Sequence, residues 1–222
     1  MRVVVAGGHG QIALRLERLL AARGDHVVGL VRNPDHVPDL EDVGAAGLVL
    51  DLENATPVDV AAVTRGADAV VFAAGAGPGS GAARKDTVDR AAAALLADAA
   101  ERTGVRRYLL VSSVGVESPP PPGTDEVFAA YLRAKAAAEA DVTVRDLDWT
   151  VLRPGRLTDD PGTGFVQLER RVPRGSVPRD DVAAVLVALL DEPDSAGLVL
   201  ELVLGDVPLA EAVRRACADG GG

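Results

Sequence analysis

Met1-Arg-Val-Val-Val-Ala-Gly-Gly-His-Gly-Gln-Ile-Ala13 is the stretch that decides the fold. Residues 3–6 are an apolar run of the length expected for a buried parallel strand. Glycines then break the strand, and Ile12, Leu16, Leu19 and Leu20 follow on one face of a helix. Two spacings fit the turn, Gly7-x-x-Gly10-x-x-Ala13 and Gly8-x-Gly10-x-x-Ala13. Either gives a strand, a tight turn and a helix whose first amides have no partner. Those amides and the helix dipole both face an anion, so the turn predicts a pyrophosphate site. Gly7, Gly8 and Gly10 let the backbone approach phosphate, with His9, Gln11 and Ile12 on the same turn, and small Ala13 lets the helix lie close to the strand. A glycine hexapeptide alone is a weak signal; its place between a strand and an amphipathic helix gives it weight. No Gly-Lys-Ser/Thr follows, which excludes a P-loop.

Outward from this turn, each strand end carries a candidate for the same ligand. The second strand, His26-Val-Val-Gly-Leu-Val31, runs into Arg32-Asn33-Pro34. An NAD-selective enzyme usually places an acid here for the ribose 2′-hydroxyl; Arg32 instead suits a 2′-phosphate, predicting NADP(H) over NAD(H). Leu48-Val-Leu-Asp51-Leu52 reads as the third strand. Asp51 and the Leu52 amide fall where an adenine edge would lie, although an Asx turn explains Asp51 equally well. The fourth strand, through Ala73 and Ala74, enters the small, glycine-rich run Gly75-Ala-Gly-Pro-Gly-Ser-Gly81, placed to follow a cofactor. An alanine-rich helix over residues 87–102 and a fifth strand ending in Ser112-Ser113 come next. A Pro-rich stretch then leads into a helix over residues 125–142 that contains Tyr131-Leu-Arg-Ala-Lys135, whose i, i+4 spacing sets phenol and ammonium on one face. The lysine, with the positive nicotinamide of an oxidised cofactor, is expected to lower the tyrosine pKa toward acid/base range.

The bulk properties agree with one α/β domain. The chain has 222 residues, 48% of them hydrophobic but 3% aromatic, which implies a core of Ala, Val and Leu. A net charge of −10 argues against nucleic acid and anionic membranes as partners. The single cysteine, Cys217, excludes a disulfide framework and fits a reducing, cytoplasmic setting. His9, His26 and His36 lack metal-ligand spacing, so no metal is expected. Neither a leader nor a membrane-spanning run is expected. One domain over residues 1–219 with a disordered tail over 220–222 is the expected organisation.

These segments, with Leu147-Asp-Trp-Thr-Val-Leu-Arg-Pro-Gly155, resemble the extended and atypical branches of the short-chain dehydrogenase/reductase superfamily. The likeness is to the small NAD(P)-binding group often labelled sugar-nucleotide epimerase-like or NAD(P)H-binding, and it covers nearly the whole chain. It implies a Rossmann-like doubly wound parallel sheet. It also implies that Ser112 or Ser113, Tyr131 and Lys135 are catalytic, that Lys135 holds the nicotinamide ribose, and that Arg153, Pro154 and Gly155 pass the nicotinamide amide. Ala13 replaces the family's third glycine, and the substrate lobe is reduced to residues 156–179 and 198–217. The arginines there, Arg156, Arg170, Arg171 and Arg174, read as a solvated face rather than an anion site. Residues 165–172 read as a strand pair and Ser176-Val-Pro-Arg-Asp180 as a helix cap. The function expected is hydride transfer between NADP(H) and a small carbonyl or alcohol, in a monomer or homodimer. The alternatives are a non-catalytic redox-sensing module and a sugar-nucleotide epimerase or dehydratase.

Overall fold

The structure is a computed structural model that describes residues 1–75 and 85–218. Residues 76–81 of the glycine-rich run and the tail over 219–222 lie outside the described residues. The first half alternates strand and helix: β1 (Arg2–Ala6), α1 (Gln11–Ala22), β2 (His26–Val31), α2 (Val37–Asp42), β3 (Ala46–Val49), α3 (Pro57–Thr64) and β4 (Ala69–Phe72). A π-helical segment, Lys85–Ala91, runs into α4 (Ala92–Thr103), then β5 (Arg107–Val111), α5 (Glu126–Val142) and β6 (Asp148–Pro154). The C-terminal part comprises β7 (Arg156–Thr158), β8 (Phe165–Glu169), β9 (Ser176–Pro178), α6 (Arg179–Leu190), β10 (Leu198–Leu204), β11 (Val207–Pro208) and α7 (Leu209–Ala218).

Among the described residues the strands form a nine-stranded sheet in the order β11-β8-β10-β6-β5-β4-β1-β2-β3. It is parallel from β3 to β10, and β8 and β11 close the far edge antiparallel. The order reverses beside β1, between β2 and β4, which opens a crevice at the carboxyl ends of those strands. Alternation along each strand builds two cores. Val3, Val5, Leu109 and Leu152 pack with Leu16 and Leu20 of α1 and Val185, Leu186 and Leu189 of α6. Val4, Phe72, Leu110 and Val151 pack with Leu96 and Ala97 of α4 and Ala138 and Val142 of α5. The doubly wound, Rossmann-like fold implied by the resemblance is the fold observed.

Four local expectations differ from the structure. β3 lies two residues nearer the N-terminus at its start, because it is a largely exposed edge strand whose register is set by β2 rather than by an apolar run. The helix after β4 begins as a π-helix before becoming α-helical. Residues 165–172 supply one strand, β8, which pairs with β10 and β11 rather than with itself. Ser176 does not cap a helix: Ser176–Pro178 is β9, paired in parallel with β7, and α6 begins after Pro178 without a side-chain cap.

Candidate functional site

The first cavity, of about 400 Å³, opens at the switch point. Gly7, His9, Gly10, Arg32 and Asn33 line one side, and Asp51, Leu52, Ala73, Ala74 and Gly75 the other. Gly7 turns with φ +82°, and a Cβ there would stand 2.5 Å from the Ala74 Cα. Gly10 donates its amide to Gly7 O at 2.8 Å, which closes the bend onto α1. No side chain caps α1 and its first turn holds no acid, so its leading amides are open to an anion. A glycine cradle against an uncapped helix end suits a dinucleotide diphosphate.

Three residues of the turn have other roles. Gly8 donates to Leu30 O at 2.9 Å, and a Cβ there would meet Gly29, Leu40 and Glu17, each at 2.9 Å, so Gly8 seats the turn on β2. Gln11 accepts from Arg15 through its side chain, and Ile12 packs against the core. Beneath Gly8, Glu17 is buried and neither of its carboxyl oxygens has a hydrogen-bond partner. Burial pushes its carboxyl up to about 8.

At the cavity rim, Arg32 is half exposed and pairs with Glu53 at 3.1 Å, while Glu53 also accepts from Thr87 at 2.7 Å. Asn33 accepts from the Asp35 amide. Asp51 accepts from the Glu53 amide and from the Asn54 side chain, so the Asx turn is formed while Asp51 still faces the cavity. His9 bonds Asp39 at 2.7 Å and stacks on His36 with ring centroids 3.6 Å apart. His36, Glu53 and Val88 are lining residues outside the sequence-based set.

Beyond Gly75 stands a buried cluster. Lys135 donates to Val111 O at 3.0 Å and Ala74 O at 3.2 Å, and pairs with Asp89 at 3.3 Å. These contacts engage the three donors of an ammonium and tie the ends of β4 and β5 to α5. Burial pulls the Lys135 pKa down, and Asp89 offsets part of that shift. Tyr131 lies one turn earlier, stacked on Phe128 with centroids 5.9 Å apart. Without a cofactor's positive ring, the lysine alone does not lower the pKa of the Tyr131 phenol. Burial first, and the Asp89 carboxylate second, push it up to about 12, and hydrogen bonding with Ser113 offsets this only in part. The main physical reason is burial of the phenol, which disfavours its charged form; the Asp89 carboxylate, paired with Lys135, adds to it. Ser112 is buried beside it with no partner for its hydroxyl. Asp89 escaped the sequence reading; its signal was an acid on the first turn after the glycine-rich run, on the same strand-end crevice.

Arg153, Pro154 and Gly155 line neither cavity among the described residues. Arg153 forks onto Glu139 from β6. A Cβ at Gly155 would stand 2.5 Å from Gly175 O, so this glycine lets β6 leave the sheet against the loop before β9. A second cavity of about 700 Å³ is lined by Val114, Gly115, Phe128 and Leu132 and by Arg156, Arg171 and Arg174. No helix among the described residues is long and apolar enough to cross a membrane. They contain no group of metal-binding side chains.

With this geometry in view, the similarities to known proteins are coherent. The chain is 34% identical to an uncharacterized sugar epimerase of Bacillus subtilis over 97% of its own length and 100% of that protein. A structure described as an NAD-dependent epimerase/dehydratase from Bacillus halodurans superposes with a TM-score of 0.89 at 34% identity, covering 97% of this chain and 99% of that one. The anaerobillin reductase ChuY from Escherichia coli O157:H7 superposes with a TM-score of 0.79 at 27% identity, covering 93% and 98%. The sequence profile of the NAD(P)H-binding family matches residues 7–193, spanning the glycine cradle, Asp89, Tyr131 and Lys135. The chain belongs to that NAD(P)H-binding family.

Proposed function

We propose that this protein is an NADP(H)-dependent reductase of the short-chain dehydrogenase/reductase type, acting on a small carbonyl compound. The observation that carries the reading is Tyr131. Its phenol bonds Ser113, stays protonated at neutral pH, and lies on α5 between Phe128 and Leu132, which line the second cavity. Bound cofactor supplies the hydride. Ser113 orients the carbonyl oxygen, and Tyr131 delivers a proton to that oxygen as negative charge develops there. Because the phenol is held well above neutral pH, the arrangement favours proton donation, hence reduction over alcohol oxidation. Lys135 keeps Tyr131 in place through α5, and Asp89 holds Lys135 charged. The open α1 amides with Gly7 and Gly10 receive the diphosphate, and Arg32 exchanges its exposed contact with Glu53 for a 2′-phosphate.

The test is NADPH consumption by the full chain over a panel of aldehydes and ketones, with cofactor affinity measured separately by fluorescence titration. Tyr131→Phe is expected to lower kcat by about 10²- to 10⁴-fold while the NADPH Kd holds. Arg32→Ala is expected to weaken NADPH about tenfold and leave NADH alone, the size of one exposed charged contact. Undiminished turnover in Tyr131→Phe removes the catalytic assignment. Equal NADPH and NADH affinities, unmoved by Arg32→Ala, remove the NADP assignment.

A further inference from the structure

We infer that the second cavity is a carboxylate-recognising substrate site, taking compounds with an apolar body and one acidic group. This rests on the reductase reading for the reaction but on different residues for the binding. The floor is apolar, with Phe128, Leu132 and Val172. Opposite it stand Arg156, Arg171 and Arg174, brought together by chain pairing that the sequence alone does not display. Arg156 opens β7 with its amide on Gly175 O at 3.0 Å, and Arg156 pairs with Ser176 in the β7–β9 register. Arg174 therefore arrives beside it on the strand's lead-in. Gly155 packs on the Gly175 carbonyl, so the backbone presenting both guanidiniums is held closely.

The charges around the cavity set the valence of the ligand. Two carboxylates also line it, Glu117 and Glu201. Glu117 lies 3.8 Å from Arg153 and 3.9 Å from Arg171. Glu201 accepts from the Val172 amide at 2.9 Å and lies 3.9 Å from Arg153. Arg153 is itself forked onto Glu139. Arg156 and Arg174 have no ion pair among the described residues, in a protein whose net charge is −10. Among the lining residues, Arg156, Arg171 and Arg174 stand against Glu117 and Glu201, so the cavity carries one excess positive charge. An acidic protein that keeps a locally positive, apolar-floored cavity concentrates anions there. The single excess charge fits a monoanionic carboxylate better than a phosphate dianion, and guanidiniums pair with carboxylates in a planar fork.

The experiment compares 4-carboxybenzaldehyde with its methyl ester, with NADPH consumption and ligand-observed NMR binding as separate readouts on the full chain. The expected kcat/KM preference for the acid is about tenfold or more, weakening as salt rises. In Arg156→Gln/Arg174→Gln that preference collapses toward one. Arg170→Gln, whose residue does not line the cavity, keeps it. Equal binding of acid and ester, unmoved by the double variant, overturns the inference while NADPH consumption leaves the reductase reading standing. If neither aldehyde consumes NADPH, the reductase reading falls. The NMR arm then decides the site alone, which stands only if the acid binds more tightly than the ester and loses that advantage in the double variant. Tighter binding of 4-formylphenyl phosphate than of the carboxylate overturns the single-charge assignment.

Discussion

The two cavities are made of different material. The first cavity, the proposed cofactor side, is largely backbone: Gly7 against Ala74, Gly10 closing on Gly7, and an uncapped helix end. The substrate side is side chain, with arginines from β7 and the lead-in to β9 facing aromatic and aliphatic groups of α5. Their buried acids differ in the same way. Under the glycine turn Glu17 is alone, whereas Asp89 pairs with Lys135 and Glu139 with Arg153. A backbone cradle reads what every dinucleotide shares and tolerates no change of shape. A cavity of paired and spare charges reads what distinguishes one substrate from another, and it can be altered residue by residue.

The largest effect should follow from putting a side chain into the cradle. Gly7→Val combines a left-handed φ with a Cβ 2.5 Å from Ala74 Cα. We expect a loss of about 3–5 kcal/mol of stability in urea unfolding, from backbone strain and overpacking together, with NADPH affinity falling beyond about a hundredfold. Gly24→Ala separates the two causes. It shares the positive φ, at +88°, with nothing within 4 Å, so it should cost only about 1–2 kcal/mol and leave NADPH binding intact. If Gly7→Val binds NADPH normally, the cradle is not where the cofactor is gripped.

That contrast also explains what could be read from the sequence. The β1 turn, the strand ends and the Tyr131–Lys135 spacing are local, so glycine geometry and helical periodicity reveal them. Gly8 and Gly10 looked equivalent in sequence. Only the tertiary neighbours separate them, because Leu40 and Glu17 fill the space beside Gly8. Asp89 reaches Lys135 through a π-helical turn whose register no propensity marks. Arg156 and Arg174 are exposed, as a solvated run would be, but the β7–β9 pairing that brings them together joins segments far apart in the chain and could not be read from the sequence. The tyrosine shift is likewise tertiary: burial of the phenol raises it first, and the Asp89 carboxylate second.

The next effect concerns the lone acid beneath the cradle. Glu17 ordinarily titrates at 4.5 and is raised to about 8 in the fold. Folding thus selects the protonated form: its contribution is complete below pH 4.5 and is lost as pH climbs through 8. At pH 7 the accumulated loss is about 3 kcal/mol. Glu17→Gln keeps the size without the titration, so its urea midpoint should exceed wild type above neutral pH and vary less between pH 5 and about 8. Parallel curves for the two proteins would show that Glu17 meets a counter-charge, erasing the difference between the two sides.

The smallest expected effect tests whether the paired side depends on its pairing. Asp89→Asn preserves size and an acceptor for Lys135 but removes the carboxylate. Burial then acts on Lys135 against the Glu139 charge alone and draws its pKa further down. Tyr131 loses the carboxylate that helps hold its phenol at about 12, so its pKa falls as well. Both shifts have the same sign for a reaction that needs a neutral phenol beside a charged lysine. The basic limb of the kcat/KM profile should therefore move down by about one pH unit, with kcat at neutral pH lowered less than in Tyr131→Phe. A profile that coincides with wild type, in a variant that folds and binds NADPH normally, would mean that the Asp89–Lys135 pair only anchors α5. The substrate side would then owe its chemistry to Ser113 and Tyr131 alone.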